Sequence, residues 1–567
     1  MVAAVTGIWV ADTPADERFH LYCRGNVGEV YPNVITALTA TLIGDDVRRS
    51  QTELFVDMGV IRRHEVRGPT VSTGVFGGYL YANASVMRIF GVRMPGMTPA
   101  SAEAQVTGTI EELPPYRRQK GDRSLAATIA ISRLSFRLLR HPDLESLDIA
   151  RREAEAWAAT MPDLDHSSDA QLLAWIRTYP TRLGTSMRRL LESSMLGAAP
   201  RAILEQLVER RRVGLVNRIV AGTGDVDSAQ PARRLWSLSR LVARDPDLTA
   251  AFDAGLDGIA HRIAGSRVEA GIKAFLRDHG HRGNDEYELA SPTWAMDPRP
   301  VYASIELLRH VPDDRDPDLT AERLRADAEA ALGEAERLVA RPLRGLVRRA
   351  ATVGRMGSVA RERAKDILVR ENLAARRVLH ELVRRAAERG GPQDPRLAFC
   401  VTIDELPRYV ESPGDFDEII RQRSAQERYL NDRVPPFWFD HEIPDPSTWT
   451  LRADAHRAGP PIGTALSGIG VNGGQASGRA RVIVDPGDPR GLEPGEILVC
   501  AITDPSWTPL FLAAAAVVCD TGAQQSHAAI VARELGIPAV MSVPGITSVA
   551  EGTVLHVDGD AGTVSIG

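Results

Sequence analysis

Cysteine is scarce in this chain, with only four residues among 567: Cys23, Cys400, Cys500 and Cys519. They lie far apart in the sequence and show none of the close spacings that bind zinc or an iron–sulfur cluster. The composition therefore excludes a disulfide-rich secreted scaffold. A protein whose thiols stay reduced in the cytoplasm is the simplest interpretation.

Long hydrophobic runs are also missing. The longest, Leu510 to Cys519, is about half as long as a helix that crosses a bilayer. The N-terminus lacks the basic segment and apolar core of a signal peptide. Charge is nearly balanced, with 68 Lys and Arg against 74 Asp and Glu. We therefore expect a cytoplasmic protein that binds neither membranes nor nucleic acid.

The length of the chain predicts several domains, because a single hydrophobic core stops growing well below 567 residues. Residues 1–125 are mixed, with extended-looking runs at Phe19 to Cys23 and Leu54 to Met58. Residues 125–395 show the apolar spacing of amphipathic helices, and the last hundred residues alternate short strands and turns. The predicted fold class is α+β: a large, mainly helical domain with a mixed α/β N-terminal portion, followed by a small C-terminal α/β domain.

Breaks are expected at two places in the helical region, near Arg341-Pro342 and between Gly354 and Gly357. A proline-rich stretch from Val434 to Pro461 then predicts a semi-rigid linker. The expected domains are residues 1–435, a linker over 436–465, and residues 466–567. Composition alone is equally consistent with a linker that only separates two domains and with one on which the smaller domain moves.

The most specific pattern lies between Gly522 and Val540, where Ser526 and His527 open a short helical segment. Free N–H groups and the positive end of the helix dipole stabilise an anion at such a position. Imidazole can also accept a group covalently and release it. The pattern favours His527 as the carrier of an anionic group, although a lone histidine near a helix start is more often a cap or surface residue.

A second glycine pattern, Gly468-Ile-Gly470-Val-Asn-Gly473, satisfies G-x-G-x-x-G. A dinucleotide site needs a strand before this motif and a helix after it. Here a Pro/Gly-rich segment precedes the motif and a strand-like run, Gly478 to Val484, follows. We therefore do not expect nucleotide binding at this position.

Polar residues of the large domain form candidate substrate contacts. Asn26 and Glu29 lie in a Gly-containing loop near the N-terminal strand. Arg361 and Lys365 are four residues apart on a long helix, so both project from one face. Two cations there would offset the charge that develops on a phosphoryl group in transfer. Taken alone, however, the spacing favours a solvated, arginine-rich helix face.

A further candidate segment runs from His279 to Glu288. The alternation of His279 and His281 fits a metal site, but the pattern is unspecific and we assign no metal here. We favour a polar role, in which His281 and Arg282 contact substrate and Arg282 holds phosphate. Glu286 or Glu288 would orient the acceptor group or act as general base.

The segment from Gly522 to Val540 resembles the phosphohistidine motif of the swivelling domain in phosphoenolpyruvate-utilising enzymes and related dikinases. The match extends to residues 494–510 and 558–562. In that family two glycines usually precede the histidine, whereas this chain has Gly522-Ala523, and alanine has less backbone freedom. The resemblance implies that His527 carries a phosphoryl group on a domain that moves between a loading site and a discharging site.

The large domain resembles the acceptor-binding domain of rifampicin phosphotransferase-type enzymes. The resemblance rests on four features of this sequence: Asn26-x-x-Glu29, the Gly280 to Trp294 segment, Arg361-Glu-x-x-Lys365, and Phe399 to Leu406. It implies that this domain binds a small-molecule acceptor. It also implies that Arg361 and Lys365 lie near the transferred phosphoryl group.

In such enzymes an ATP-grasp module precedes these domains, and we find no glycine-rich phosphate loop followed by a lysine in this sequence. We therefore expect a separate ATP-grasp subunit to cleave ATP, with Mg²⁺ on its phosphates, and to load His527. The chain would then be the acceptor-plus-carrier subunit of a split ATP-dependent dikinase. The alternative is a non-catalytic ligand-binding or regulatory homologue in which His527 is vestigial.

Overall fold

The computed structural model describes residues 9–107, 113–140, 144–212, 214–221, 223, 227, 229–455, 459–483, 491–503, 505–522 and 526–567. The strands are β1 (Leu21–Cys23), β2 (Thr73–Phe76), β3 (Tyr79–Asn83), β4 (Trp438–Asp440), β5 (Ala465–Ser467), β6 (Ile469–Asn472), β7 (Gln475–Val482), β8 (Ile497–Cys500), β9 (Ala516–Cys519), β10 (Ala539–Met541), β11 (Val554–Asp558) and β12 (Thr563–Ile566).

The α-helices are α1 (Gly25–Val30), α2 (Ala37–Asp57), α3 (Ala84–Arg93), α4 (Pro99–Thr107), α5 (Leu125–Arg140), α6 (Glu145–Ala158), α7 (Asp169–Ile176), α8 (Tyr179–Leu204), α9 (Leu215–Val220), α10 (Gln230–Ala243), α11 (Pro246–Asp253), α12 (Ile259–Arg262), α13 (Arg267–His279), α14 (Arg299–Arg309), α15 (Pro317–Leu338), α16 (Arg344–Glu388), α17 (Pro395–Ala398), α18 (Leu406–Glu411), α19 (Asp417–Asn431), α20 (Arg452–Ala455), α21 (Thr508–Ala513) and α22 (His527–Leu535). A π-helical turn, Glu205–Glu209, follows α8, and short 3₁₀ turns connect several elements. The predicted α+β class is confirmed.

Helix α16 is the central element of the large domain, with 45 residues and a length of about 68 Å. The predicted break near Arg341-Pro342 is confirmed, because a 3₁₀ turn, Arg341–Leu343, separates α15 from α16. The predicted break between Gly354 and Gly357 is wrong, since α16 runs through both residues. Gly197 of α8 lies against Gly357, so the two helices approach closely there. That packing outweighs the poor helix propensity of glycine, about 1 kcal/mol per residue.

The N-terminal portion contains a four-stranded antiparallel sheet in the order β2-β3-β1-β4. Strand β1 lies within the predicted extended run, whereas Leu54 to Asp57 belong to helix α2 and not to a strand. Strand β4 comes from the segment that we predicted to be linker. Trp449 is also buried, and its ring lies against Gly77, where a Cβ atom would come within 2.6 Å of it. The first part of residues 436–465 therefore packs on the large domain.

The C-terminal domain is built on a mixed eight-stranded sheet in the order β5-β12-β11-β7-β8-β9-β10-β6. Strands β7 to β10 are parallel neighbours, and the outer pairs are antiparallel. Within G-x-G-x-x-G, β6 leads through a glycine turn into β7, so no helix follows the motif. That is the expected arrangement for a sequence that does not bind a dinucleotide.

The C-terminal domain sits against the large domain through a shared apolar cluster. This cluster joins side chains of α10, α13 and α14 to α21 and the adjoining strands. Two polar contacts border it: Thr223 donates to Glu534 at 3.0 Å, and Ser506 donates to Asn284 at 2.5 Å. Of the helices that the structure describes, none combines the length and apolarity of a membrane span.

Candidate functional site

A cavity of about 1000 Å³ lies between the large domain and the C-terminal domain. The large domain contributes α1, α2, α3, α8, α16 and the loop around residues 284–287. The C-terminal domain contributes Thr503, Trp507 and Thr547, among others. Because both domains supply walls, the cavity is complete only in the docked arrangement.

Most of the cavity wall is apolar. The side chains that share this character come from α2 and the residues just before it, from α3 and α8, and from β3: Ile35, Ile43, Val47, Leu54, Phe55, Leu80, Met87, Phe90, Leu183, Met187, Leu190 and Leu191. A volume of this size lies at the upper end of the range for small-molecule sites. This part of the cavity suits a large ligand with an extended apolar surface.

Five of the predicted site residues line this one cavity: Asn26, Glu29, Glu286, Arg361 and Lys365. The first two belong to helix α1 and not to the loop predicted for them, Glu286 follows α13, and the two cations lie on α16. Segments more than three hundred residues apart in sequence thus meet at a single polar wall. The structure therefore brings together the groups that sequence spacing alone left separate.

Lys365 is held by a buried ion pair. Its Nζ atom lies 3.3 Å from Glu286 Oε2, and Arg282 donates to Glu286 Oε1 at 3.2 Å. Burial alone would lower the pKa of Lys365, but the Glu286 carboxylate raises it above its ordinary value. Burial alone would raise the pKa of Glu286, but Lys365 and Arg282 hold it below its ordinary value. Both side chains are therefore charged at neutral pH.

A second carboxylate, Asp366, anchors the loop that carries Glu286. Asp366 Oδ1 accepts from His281 at 2.7 Å and from Arg282 at 2.8 Å, and its Oδ2 accepts from Arg370 at 2.7 Å. Burial lowers the pKa of His281 to about 4, so the imidazole is neutral and donates from Nε2. His281 and Arg282 do not line the cavity, and they act on it only through Asp366 and Glu286.

The metal alternative for His279 and His281 finds no support in the described part of the chain. The His281 Nε2 atom is already bonded to Asp366, and no group of three ligand atoms includes either histidine. Burial also lowers the pKa of His279 to about 4. Both imidazoles therefore fit a neutral structural role, and that of His281 is buried.

The predicted substrate contact of Glu288 needs correction. Its carboxylate accepts from the Thr36 hydroxyl at 2.8 Å and from the Thr39 hydroxyl at 2.5 Å. It also accepts from the Thr36 backbone N–H at the start of α2. Glu288 does not line the cavity, because the turn between Glu286 and Glu288 directs the two carboxylates to different partners. Its role is to hold the N-terminus of α2.

Arg361 lies where α16 meets the helix that begins at His527. Together with Arg201 and Arg533 it lines a small cavity of about 30 Å³ beside the main one. Arg361 donates to Glu362 at 3.1 Å. Burial, with Arg201 nearby, lowers the pKa of Arg533 to about 9. Arg361 therefore lines the main cavity and also lies beside α22.

Ser526 is the N-cap of α22, and its hydroxyl accepts from Ala529 N–H at 3.2 Å. It is buried, with 2% of its surface exposed, and it does not line the main cavity. His527 is the first residue of the helix, as predicted. The side chain of His527 and residue Ala523 lie outside the described part of the structure.

Several residues of this region were missed by sequence reasoning. Asp366, Asn284 and Asn372 carry no motif of their own, although Asp366 adjoins Lys365 and Asn284 lies between Arg282 and Glu286. Asn372 donates to the Glu286 carbonyl at 3.0 Å, so it helps to fix the loop. Thr503 and Trp507 lie in the segment that extends the C-terminal resemblance, and that was the available signal for them.

Comparison with known proteins gives two family matches. Residues 186–366 match the rifampicin phosphotransferase fourth domain, and residues 492–562 match the mobile domain of PEP-utilising enzymes. The first match includes most of α8, from residue 186 onwards, together with the loop of Glu286, and Arg361 and Lys365. The second includes Ser526 and His527. The resemblance stated from the sequence is confirmed for these two regions.

Three relatives are informative. An uncharacterised protein of Mycobacterium tuberculosis is 30% identical over 98% of this chain and 62% of its own length. The prodigiosin synthesizing transferase PigC of Serratia marcescens is 32% identical over 66% of this chain and 43% of its own. A rifampicin phosphotransferase of Streptomyces sviceus is 30% identical over 55% of this chain and 36% of its own length. The chain thus spans about three fifths, or less, of the length of these relatives.

Proposed function

We propose that this chain is the acceptor-plus-carrier subunit of a split ATP-dependent dikinase, because two of its regions match the rifampicin phosphotransferase fourth domain and the mobile domain of PEP-utilising enzymes. His527 would carry a phosphoryl group to a small molecule bound in the cavity. One observation carries this proposal: the domain that bears His527 and the helix that bears Arg361 and Lys365 wall the same cavity.

The proposed step breaks the N–P bond of phosphohistidine and forms an O–P bond to the acceptor. The acceptor oxygen loses its proton, and the departing nitrogen of His527 gains one, so that His527 is left as neutral imidazole. Charge on the transferred group spreads over its equatorial oxygens, and cations nearby stabilise it. Lys365 and Arg361 would supply that stabilisation. Glu286, which is ionised and paired, would orient Lys365 and not remove the acceptor proton.

The acceptor class follows from the distribution of polar groups around the cavity. One wall carries Asn26, Glu29 and the two cations, and most of the remainder is apolar. We expect a largely apolar molecule with a hydroxyl or carboxyl group at the end that faces Lys365. Asn26 and Glu29 would hold polar groups at that end by hydrogen bonds.

Loading of His527 is assigned to a separate ATP-grasp protein that binds ATP and Mg²⁺. The polar wall of the cavity does not suit Mg²⁺, because Arg361 and Lys365 are cations and the Glu286 carboxylate is already paired with Arg282 and Lys365. We therefore expect the ion mainly on the partner, where it would hold the ATP phosphates.

A labelling experiment tests the carrier role. The chain is mixed with an ATP-grasp protein, or with the ATP-grasp module of a related rifampicin phosphotransferase, and with β-labelled ATP. Acid-labile, base-stable label is expected on the wild type and on His556→Ala, which removes another histidine of the same domain. No label is expected on His527→Ala.

The outcomes separate the parts of the proposal. Label that appears without any added protein would refute the separate partner but keep the carrier. If the wild type stays unlabelled while the added ATP-grasp protein labels the carrier domain of its own enzyme, the carrier role of His527 is refuted and the non-catalytic alternative is favoured. Equal label on His527→Ala would place the phosphoryl group on another residue.

A further inference from the structure

Two histidines and an aspartate meet at the end of the N-terminal sheet, away from the cavity. His20 directly precedes β1, Asp440 is the last residue of β4, and His441 follows it. Leu21 is paired with Asp440 in the sheet, and the His441 N–H donates to the His20 carbonyl at 3.0 Å. None of the three residues lines the cavity. The β1–β4 pair therefore holds these side chains together.

The ligand-type atoms of this His20–Asp440–His441 cluster converge. The Nδ1 atoms of both imidazoles face Asp440 Oδ1, that of His441 at 3.0 Å and that of His20 in a shorter contact. The two rings stack with their centroids 3.7 Å apart. One potential ligand atom from each residue lies within 4.8 Å of the others. For comparison, ligand atoms around a tetrahedral zinc ion with bonds of 2.0–2.1 Å are about 3.4 Å apart.

The backbone at His441 gives an independent indication. His441 has φ of +63°, in the left-handed region that residues other than glycine rarely adopt. Such a conformation costs on the order of 1–3 kcal/mol and persists where the surroundings determine it, often at functional sites. Here it places the His441 ring over that of His20.

We propose that His20, Asp440 and His441 bind one divalent first-row transition-metal ion. Two imidazole nitrogens and one carboxylate oxygen suit Zn²⁺ and its neighbours, whereas Mg²⁺ and Ca²⁺ prefer oxygen ligands alone. Asp440 and His441 are exposed, so at least one coordination position stays open to solvent. The proposal does not depend on phosphoryl transfer.

The position of the cluster indicates what the ion would do. The chain stays on the large domain beyond β4, because Trp449 is buried against Gly77, and it reaches the first strand of the C-terminal sheet, β5, at Ala465. A bound ion would join β1 to the end of β4, at the beginning of the segment that connects the two domains. It would therefore stabilise the attachment of this segment without contacting the cavity.

Zinc binding by the full-length chain tests the site. The protein, with any histidine tag removed, is freed of metal and titrated with Zn²⁺ in competition with a chromophoric chelator. We expect one site, weakened at least about tenfold in His441→Ala and in Asp440→Asn. His310→Ala is the matched control, because His310 is also exposed and lies 3.2 Å from a carboxylate, that of Glu306.

A second readout is the melting temperature, because an ion that binds only the folded protein raises it. Zn²⁺ should raise the melting temperature of the wild type and of His310→Ala, but not that of His441→Ala. His441 is exposed, so its removal leaves the core intact. Absence of Zn²⁺ binding, or equal binding by His441→Ala and the wild type, would show a hydrogen-bonded cluster that does not bind metal.

Discussion

Replacement of Asp366 with asparagine tests whether the buried ion network organises the candidate site. Asp366 has 3% of its surface exposed and accepts from three donors, on His281, Arg282 and Arg370. A carboxylate only accepts hydrogen bonds, whereas asparagine presents an NH₂ group on one side. In Asp366→Asn one donor therefore faces another donor, and the cluster loses a negative charge beside the buried Arg282.

The expected magnitude follows from burial. Loss of one partner of a buried ion pair costs about 3–5 kcal/mol, because the remaining charge stays out of water. The matched control is Asp313→Asn. The Asp313 side chain is 72% exposed and lies 2.8 Å from Arg240. An exposed pair contributes about 1 kcal/mol or less. The two variants remove the same chemical group, so their difference measures the effect of burial.

Urea unfolding followed by tryptophan fluorescence is a suitable assay. With a slope of about 3 kcal/mol per molar urea, Asp366→Asn should lower the midpoint by about 1 to 1.7 M. Asp313→Asn should lower it by no more than about 0.3 M. The slope must stay unchanged for the comparison to hold. Equal midpoints for the two variants would refute the view that Asp366 anchors the loop of Glu286.

Three further predictions concern the same elements. Burial lowers the pKa of His281 and His279 to about 4, so the unfolded chain binds more protons than the folded one between pH 6.5 and 4. The urea midpoint should therefore fall as the pH is lowered through this window, and it should fall less steeply in His281→Gln. Ser526→Ala removes the N-cap of α22 and should lower the free energy of unfolding by about 1 kcal/mol, as measured by urea unfolding, whereas Ser526→Asp should restore it. Lys365→Met should leave labelling of His527 unchanged but slow the discharge of label to an acceptor about 100- to 1000-fold, with the acceptor found by screening small molecules for loss of label. Lys273→Met, on the surface, should have no effect, and an equal slowing in both variants would contradict the role assigned to Lys365.

The architecture was predictable where local patterns are long and repeated. Amphipathic spacing indicated the helical region, and proline marked the break before α16. The expected break at Gly354 to Gly357 failed because propensity describes an isolated helix, and here the glycines allow close packing on α8. The run Leu54 to Met58 was misassigned because a short apolar segment fits a buried helix as well as a strand.

The candidate site was predictable only in part. The family resemblance pointed to Glu286, Arg361 and Lys365, but no sequence pattern could show that Glu286 and Lys365 form an ion pair across 79 positions of the chain. Nor could it separate Glu286 from Glu288, which lie two residues apart and have different partners. Asp366 was missed because its importance comes from three donors that the fold collects around it. Such contacts belong to the tertiary structure and leave no local pattern.

The loop that carries Glu286 also links the site to the position of the C-terminal domain. Asn284 accepts from Ser506 of that domain, and two residues later Glu286 holds Lys365. Trp507, next to Ser506, forms part of the cavity wall. The docked C-terminal domain therefore has two effects: it closes the cavity, and it contacts the loop whose Glu286 orients Lys365. If phosphoryl transfer occurs here, the competent arrangement forms only when the domain that bears His527 is docked, and its departure opens the cavity to water.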